Sequence, residues 1–333
     1  MNKIKFGKPY SEIIKIKESF YIENKKHLRK ALSINNFYKK QKTRIKCKIC
    51  NSTKLEKLII SFKINYLTCK KCSHLNGMHD DSSAFRNFLY YDNSGKKYSE
   101  NYLTDFNFRV KKIYTPKLNF LKSTIKKDFD LLDIGCGAGH FVKSAENLGI
   151  KAHGYDPNLT MIKLGQKYLK KNKIIHSEEE NFISIIKNAK HKTISMLGVL
   201  EHVYNPSEYL KAFKVSNAKY LFFKVPLLSL STFIENSNQK TFPRQLSGGH
   251  THLFTYDSII FLIKKFSFKI IGEWWFGTDV PDLYRTILIN SKFTKKENYA
   301  KHLDNYLSKY IDEMQLVLDR NKKSSEIHMV IKK

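Results

Sequence analysis

The sequence predicts an α/β fold in which a doubly wound, mostly parallel sheet of seven strands is covered by helices on both faces. From residue 129 to residue 291, short apolar segments alternate with amphipathic segments, which is the pattern of a parallel sheet with helices between its strands. One apolar segment, Leu131–Ile134, runs directly into a glycine-rich turn and then a helical segment. A chain of 333 residues can bury a large core and indicates two domains.

Each predicted element follows from its local pattern. We expect strands near residues 129–134, 150–155, 173–176, 193–198, 219–225, 267–275 and 283–290. Apolar residues from Tyr299 to Leu318 recur every three or four positions, which predicts a long amphipathic helix, and residues 327–331 suggest a final strand. The predicted division is a basic N-terminal extension (1–46), a cysteine module (47–77), a helical linker or lid (78–127), a ligand-binding α/β domain (128–291) and a C-terminal helix with a strand (292–333).

The chain is strongly basic, with a formal net charge of +30 at pH 7. Such a charge suggests nucleic-acid binding, because Lys and Arg neutralise phosphates. Only seven of the 60 basic residues are Arg, however, and Arg is the side chain best suited to bidentate contacts with phosphates and bases. A solvated basic exterior, or attraction of an acidic substrate, is the favoured interpretation. We expect neither a signal peptide nor a membrane-inserted segment, because Lys residues interrupt the first apolar residues and Lys224 and Pro226 interrupt the most apolar stretch. A cytoplasmic location is the expectation.

Four cysteines indicate a metal site. Cys47 and Cys50 form one C-x-x-C pair, and Cys69 and Cys72 form a second pair after 18 intervening residues. This spacing is typical of a zinc ribbon, in which four thiolates fill a tetrahedral shell and the metal is structural. Disulfide bonds are the alternative, and a reducing cytoplasm disfavours them. The fifth cysteine, Cys136, lies inside the glycine-rich turn.

The turn Gly135-Cys-Gly-Ala-Gly139 joins the apolar strand to the helical segment. A strand, a glycine turn and a helix together present backbone N–H groups to a ligand and allow its close approach. A dinucleotide-binding turn would need its third small residue at position 140, where the sequence has His140. The spacing therefore excludes an ordinary dinucleotide site.

Two carboxylates accompany this turn. Asp133 precedes the first glycine by two residues, and Asp156 follows the next predicted strand, 21 residues after Gly135. A carboxylate at the loop entrance attracts a cationic ligand and repels phosphates, and Asp156 can accept hydrogen bonds from a ribose diol. These features suit S-adenosylmethionine (SAM), which carries a sulfonium, an amino group and a ribose but no pyrophosphate.

The motif Leu131–Gly139 resembles the first motif of the class I SAM-dependent methyltransferases, and the segment Asp156–Met161 resembles their second. The likeness continues in Val199-Leu-Glu-His-Val203 and in Gly249-His-Thr-His252. It implies a Rossmann-like methyltransferase sheet with SAM as cofactor. The roles implied are contact with the methionine amino group by Asp133, with the methionine moiety by the glycine loop, with the ribose by Asp156 and with the adenine by Met161. The cofactor-binding residues are thus Asp133, Gly135, Cys136, Gly137, Gly139, Asp156 and Met161.

Histidines are the candidates for proton transfer. Methyl transfer is an in-line displacement, and a hydroxyl nucleophile also needs a proton acceptor, for which a neutral His is suited near pH 7. His202 follows a predicted strand at the edge where open α/β sheets bind ligands. His250 and His252 are the further candidates, and a role in anchoring its own loop is the alternative for His252.

The acceptor is predicted from the flanking segments. A cysteine module, the pair Tyr98 and Tyr102, and the tail Ser325-Glu-Ile-His-Met-Val330 resemble bacterial methyltransferases of surface-polysaccharide and sugar-nucleotide gene clusters. A saccharide or nucleotide sugar is therefore the favoured small-molecule acceptor. An rRNA or tRNA base methyltransferase that holds RNA with its zinc ribbon and basic surface is the alternative. A nucleic-acid-binding module on a methyltransferase fold without activity is disfavoured by the intact glycine loop.

Overall fold

The structure is a computed structural model that describes residues 2–12, 19–89, 105–246, 249–293 and 297–333. Tyr98 and Tyr102 lie outside these ranges. The described strands are β1 (Lys3–Phe6), β2 (Leu55–Ser61), β3 (Ile64–Cys69), β4 (Leu75–Gly77), β5 (Leu131–Ile134), β6 (Ala152–Asp156), β7 (Ile174–His176), β8 (Thr193–Leu197), β9 (Tyr220–Pro226), β10 (His252–Leu253), β11 (Lys269–Trp275) and β12 (Glu326–Lys332).

Helices occupy most of the intervals between the strands. They are α1 (Ser19–Ile22), α2 (Asn24–Tyr38), α3 (Ser83–Asn87), α4 (Phe106–Arg109), α5 (Thr115–Ile125), α6 (His140–Asn147), α7 (Leu159–Gly165), α8 (Phe182–Lys187), α9 (Pro206–Val215), α10 (Leu230–Ser237), α11 (Tyr256–Lys265), α12 (Asp279–Phe293), α13 (Glu297–Leu307) and α14 (Ile311–Arg320). The predicted long C-terminal helix is divided between α13 and α14 by a 3₁₀ turn at Ser308–Tyr310. Within the described ranges, no helix is long and apolar enough to cross a membrane.

The predicted α/β fold class is confirmed by the main sheet. Its order is β1-β11-β12-β9-β8-β5-β6-β7, and within the described residues β12 is the one strand that runs antiparallel to its neighbours. The sheet therefore has eight strands rather than the predicted seven, because β1 pairs in parallel with β11 at one edge. The segments 1–46 and 292–333 each contribute a strand to this sheet.

The strand predicted at residues 283–290 is wrong. These residues belong to α12, whose residues Val280, Tyr284 and Leu288 recur every four positions, as on one face of a helix, and pack in one apolar cluster. Two aspartates in its first turn, Asp279 and Asp282, also favour a helix start. The tail strand suggested at residues 327–331 is present as β12, which lies between β9 and β11 in the sheet.

Alternation along the strands builds one apolar core on each face of the sheet. Helices α5 and α6 cover one face, where Leu131, Phe222, Trp274 and Val330 are buried. Helices α8, α9 and α11 cover the other face, where the buried strand residues include Leu132, Ile194, Met196, Leu221, Phe223, Ile327 and Met329. The carboxyl ends of β5, β6, β8, β9 and β11 consequently meet at one edge, where open α/β sheets bind their ligands.

The cysteine-bearing segment forms a second sheet of four strands in the order β10-β4-β3-β2. Strands β2, β3 and β4 come from residues 55–77, whereas β10 comes from the larger domain and pairs antiparallel with β4. The amide of Gly77 also donates a hydrogen bond of 2.8 Å to the carbonyl of Thr251. The small sheet is thus joined to the larger domain through backbone hydrogen bonds.

Asp279 holds the start of β12 against three helices. One carboxylate oxygen accepts hydrogen bonds from the Ser229 hydroxyl at 2.6 Å and the Ser231 amide at 2.9 Å. The other accepts hydrogen bonds from the Ser325 amide at 2.8 Å and the Gln315 side chain at 3.4 Å. Since Asp279 is fully buried, its removal would leave these donors without a partner and away from water.

Replacement of Asp279 by Ala should therefore lower the free energy of unfolding by about 3 kcal/mol. The change is measured by urea denaturation. Asp257→Ala is the matched control, because Asp257 lies exposed in the first turn of α11 and its loss should change stability by about 0.5 kcal/mol. Equal effects of the two substitutions would contradict the assigned role of Asp279.

Candidate active site

The glycine loop has the backbone conformation that its sequence predicts. Gly135 and Gly139 have φ angles of +70° and +76°, in the left-handed region that favours glycine. A Cβ atom on Gly135 would lie 2.5 Å from Val199 Cγ2, and one on Gly139 would lie 2.6 Å from Leu169 Cδ1. A Cβ on Gly137, in contrast, would meet only Met161 Cε at 3.7 Å. The loop is thus tightly packed at both ends and has room at its middle glycine.

Asp156 fixes the shape of this loop from the end of β6. One of its carboxylate oxygens accepts a 2.7 Å hydrogen bond from the Gly137 amide, and the other accepts a 2.8 Å bond from the Asn158 amide. Burial raises the pKa of Asp156 to about 6, against the effect of these two hydrogen bonds. The carboxylate predicted to hold a ribose is therefore also a structural anchor of the glycine loop.

Asp133 lies beneath the loop, between β5 and β8. Its side chain is 3% exposed and accepts a hydrogen bond of 2.6 Å from the Ser195 hydroxyl on the adjacent strand. Burial raises the pKa of Asp133 to about 7, and the hydroxyl only partly offsets this effect. A cationic group placed beside this carboxyl would favour its ionised form.

The remaining predicted cofactor residues line the same region. Met161 is buried at the start of α7 and packs with Ala138 of the glycine loop. Cys136 is buried against the close approach of Gly154, and burial raises the pKa of its thiol well above its usual value. The thiol is thus neutral near pH 7 and acts as a packing group.

A cavity of about 140 Å³ connects the glycine loop with the segment that follows β8. The residues that line it come from the carboxyl end of β6 and from the segments that follow β5, β6, β7 and β8. They are Gly135, Asp156, Pro157, Asn158, Glu179, Phe182, Gly198, Val199, His202 and Val203. The structure therefore brings His202 to the same cavity as Asp156 and Gly135.

His202 is held in one orientation by a backbone carbonyl. Its Nδ1 lies 3.0 Å from the Gly249 carbonyl, which can only accept, so Nδ1 carries the proton and donates it. The neutral ring then has its lone pair on Nε2. Burial lowers the pKa of His202, which keeps the imidazole neutral near pH 7. A neutral, oriented imidazole at a cavity is the form that accepts a proton.

Glu201 and His250 lie beside His202. Ligand atoms of these three residues lie within 4.8 Å of one another, close enough to hold a metal ion. The carboxylate of Glu201, however, already lies 3.5 Å from the ammonium group of Lys224. This fixed positive charge opposes a metal cation, and we assign none here.

His252 lies apart from this cavity, in the junction with the small sheet. It is buried on β10, and its Nδ1 is 2.9 Å from Nε2 of His74. The structure thus brings His202, but not His252, to the glycine loop. One short loop contacts both regions. The carbonyl of Gly249, at its start, orients His202, and His252, at its end, pairs with β4.

The four cysteines of the small module converge on one point. The Sγ atoms of Cys47 and Cys72 are 3.6 Å apart, those of Cys50 and Cys69 are 3.4 Å apart, and all four lie within 4.8 Å. A disulfide would need about 2.05 Å, whereas thiolates at about 2.3 Å from a tetrahedral zinc ion lie about 3.8 Å from one another. The donor set and its spacing therefore fit zinc.

Some residues of this region were missed by sequence reasoning. Ser195 and Lys224 are polar residues inside apolar strands, and that interruption of the pattern was the available signal. Gly249 contributes only a carbonyl oxygen, which leaves no signature in a sequence. Its role depends on tertiary structure alone.

Residues 106–273 match the family described as a methyltransferase domain. Because this segment is about half of the chain, the chain belongs to that family. It is a methyltransferase. No curated protein matches the sequence.

Solved structures similar to the chain include a SAM-dependent methyltransferase from Archaeoglobus fulgidus. The identity is 18%, the match covers 68% of this chain and 99% of that one, and the TM-score is 0.44. Another is the plantazolicin methyltransferase BpumL in complex with a triazolic desmethylPZN analog and S-adenosylhomocysteine (SAH). Here the identity is 16%, the coverage is 75% of this chain and 95% of that one, and the TM-score is 0.44. Similarity at this level does not identify an acceptor.

The raised pKa of Asp133 predicts a pH-dependent effect of Asp133→Asn in the protein without added cofactor. In the wild type, the free energy of unfolding is highest below pH 4, where Asp133 is neutral in both the folded and the unfolded protein. It falls as the pH rises to about 7, because the unfolded protein ionises this carboxyl more easily than the folded protein does. Asn cannot ionise and keeps the hydrogen bond from Ser195. From pH 5 to pH 8, the free energy of unfolding of the variant should therefore rise by about 2–4 kcal/mol relative to that of the wild type.

Urea denaturation at the two pH values measures this difference. Asp128→Asn, at an exposed site just before β5, is the control and should show no such change. A difference for Asp133→Asn that is the same at both pH values would contradict the predicted ionisation.

Proposed function

We propose that the chain binds SAM at the glycine loop and transfers its methyl group to a small-molecule acceptor beside His202. SAM supplies the electrophilic methyl carbon when it is bound. Asp156 would accept hydrogen bonds from the ribose, and Met161 would cover the adenine. Two observations support this fit: the loop has room at Gly137, and the buried Asp133 has a raised pKa that a cationic amino group would relieve.

His202 is proposed as the proton acceptor for the acceptor's nucleophile. In this role Nε2 would take the proton of the nucleophile as the nucleophile bonds to the methyl carbon and the bond from that carbon to the sulfonium sulfur breaks. SAH would then be the leaving group, and the imidazole would become a cation. The buried carboxylate of Glu201 is the adjacent residue and would stabilise this charge. The alternative base, His252, is not favoured because its Nδ1 contacts His74 and it lies outside the cavity.

A saccharide or nucleotide sugar is proposed as the acceptor, in a cytoplasmic enzyme. The resemblance of the cysteine module and the tail to polysaccharide-cluster methyltransferases supports this class. Packing also supports it, since Cys47, Ile49 and Cys72 share an apolar cluster with Leu200 and Tyr209 of the methyltransferase domain. This face of the module is buried in the protein and is not available to RNA. RNA remains the alternative, and the net charge of +30 favours it.

The four cysteines are proposed to hold one structural zinc ion. Residues 47–77 would then form the zinc ribbon, 1–46 an extension, 78–127 a helical linker, 128–291 the SAM-binding domain and 292–333 the C-terminal segment. Both C-x-x-C turns have the same geometry, with the Asn51 amide donating to the Cys47 carbonyl and the Ser73 amide to the Cys69 carbonyl. Four thiolates leave no open coordination position for catalysis.

His202→Ala should abolish methyl transfer and leave cofactor binding intact. The test incubates the enzyme with methyl-labelled SAM and, separately, the polar small-molecule extract and the total RNA of the source cells. Label should enter the small-molecule fraction, and the variant should lose about 100-fold or more of this activity, since it lacks the general base. SAH affinity, measured by calorimetry, should stay within about threefold of the wild type.

His191→Ala is the control, because His191 contacts His153 outside the cavity. Label in the RNA fraction would favour the RNA alternative. Full activity of His202→Ala would remove His202 from the mechanism. Failure of the wild type to bind SAH would contradict the proposed function itself.

Elemental analysis of protein purified without chelators should find one zinc ion per chain. Cys47→Ser should lose the metal and melt at a lower temperature, because metal binding stabilises the folded ribbon. Cys136→Ser, outside the module, should retain the metal. Wild-type protein without zinc, or retention of zinc by Cys47→Ser, would contradict the proposed ribbon.

A further inference from the structure

Charged residues gather on one face of the main sheet, at the edge where its parallel strands end. In the register of β12, His328 pairs with Lys224 on β9 and with Trp274 on β11, and Glu326 pairs with Pro226. Directly paired residues of antiparallel strands point to the same face. Lys224, Glu326 and His328 therefore share the face that α5 covers, beside Glu201 and His202.

Two further lysines reach this group from other elements. Lys117 on α5 is 91% buried, and its ammonium group lies 5.0 Å from the ring centre of Tyr114. Lys8 follows β1, and its ammonium group lies 5.3 Å from the ring centre of Phe276. Phe276 stacks on His328 at 4.9 Å. We name Lys8, Lys117 and Lys224 the lysine cluster.

The carboxylates near the lysine cluster are paired with only one of its members. Lys224 lies 3.1 Å from Glu326 and 3.5 Å from Glu201. Within the described part of the chain, the ammonium group of Lys117 makes no hydrogen bond or ion pair, and no carboxylate lies within ion-pair distance of it. It lies over the ring of Tyr114.

The pKa values agree with this uneven pairing. Burial lowers the pKa of Lys117 to about 7, and Lys8 and Lys224 add to the effect, which Glu326 and Asp133 offset only in part. Burial likewise lowers the pKa of Lys8 to about 8, although Glu326 partly offsets it. For Lys224, burial is outweighed by Glu326 and Glu201, and the pKa is raised. At Lys8 and Lys117 the neighbouring carboxylates thus do not outweigh the cost of burying the charge, whereas at Lys224 they do.

Buried lysines are rare unless an anion accompanies them. Packing against Tyr114 and Phe276 is the alternative explanation, since aromatic rings attract ammonium groups. That explanation does not account for three lysines from α5, β9 and the segment after β1 meeting at the ligand-binding edge. A negatively charged ligand group at this place would supply the missing counter-ion.

We propose that the lysine cluster binds a phosphate or carboxylate group of the methyl acceptor, so that the acceptor is an anion. This inference rests on the proposed function, because it places the acceptor between the cluster and His202. A nucleotide sugar has such a group, whereas a neutral saccharide does not. The carboxylate of the cofactor's methionine is the other source of this chemistry, and the two sources are distinguished by saturation with SAH.

The test is calorimetric titration of inorganic pyrophosphate into the full-length protein saturated with SAH, at low ionic strength. The wild type should bind pyrophosphate. Lys117→Met, which keeps the length of the side chain and removes its charge, should bind it about tenfold more weakly, the change expected for the loss of one charge-assisted hydrogen bond. SAH affinity should be unchanged. Lys122→Met is the control, because Lys122 is exposed on the same helix.

The inference is overturned if the wild type does not bind pyrophosphate, or if Lys117→Met and Lys122→Met have equal effects. A loss of SAH affinity in Lys117→Met would assign the cluster to the cofactor and also overturn it. If Lys117→Met does not fold, Lys8→Met takes its place with the same expected weakening. Absence of SAH binding in the wild type would refute the proposed function, and the pyrophosphate titration without SAH would then still decide whether the cluster binds an anion.

Discussion

The antiparallel insertion of β12 between β9 and β11 is the interaction on which the rest of the molecule depends. Seven register pairs join it to β9, from Glu326 with Pro226 to Lys332 with Tyr220. Through β11 it also holds β1 at the edge of the sheet. Residues 326–332 therefore set the register of β9 relative to β11. They also bring Glu326 and His328 to the ligand-binding edge.

Much of the fold was predictable because the strands near the glycine loop are locally encoded. Leu131–Ile134 and Thr193–Leu197 are short and apolar, and turns or amphipathic helices follow them. The segment 283–290 was misassigned because an apolar run of this length fits either a strand or a buried helix. Lys3–Phe6 was not predicted as a strand, since its burial depends on pairing with β11, more than 260 residues away.

The candidate site was predictable to a smaller extent. The glycine spacing and the carboxylates Asp133 and Asp156 carry a local pattern, and the structure gathers them at one edge. The orientation of His202 could not be predicted, because a backbone carbonyl sets it across 47 positions of sequence. The same loop pairs with the cysteine module through β10. The cysteine module and the candidate base are thus connected by a few residues of backbone.

The position of β12 also affects how the protein is made. During synthesis β9 ends at Pro226, and its partner begins only at Glu326, so roughly 5–20 seconds of elongation separate them at about 5–20 residues per second. Throughout this interval β9 presents an open, apolar edge able to pair with other nascent chains. The order of translation therefore leaves this edge of β9 without its native partner until residues 326–332 have been made.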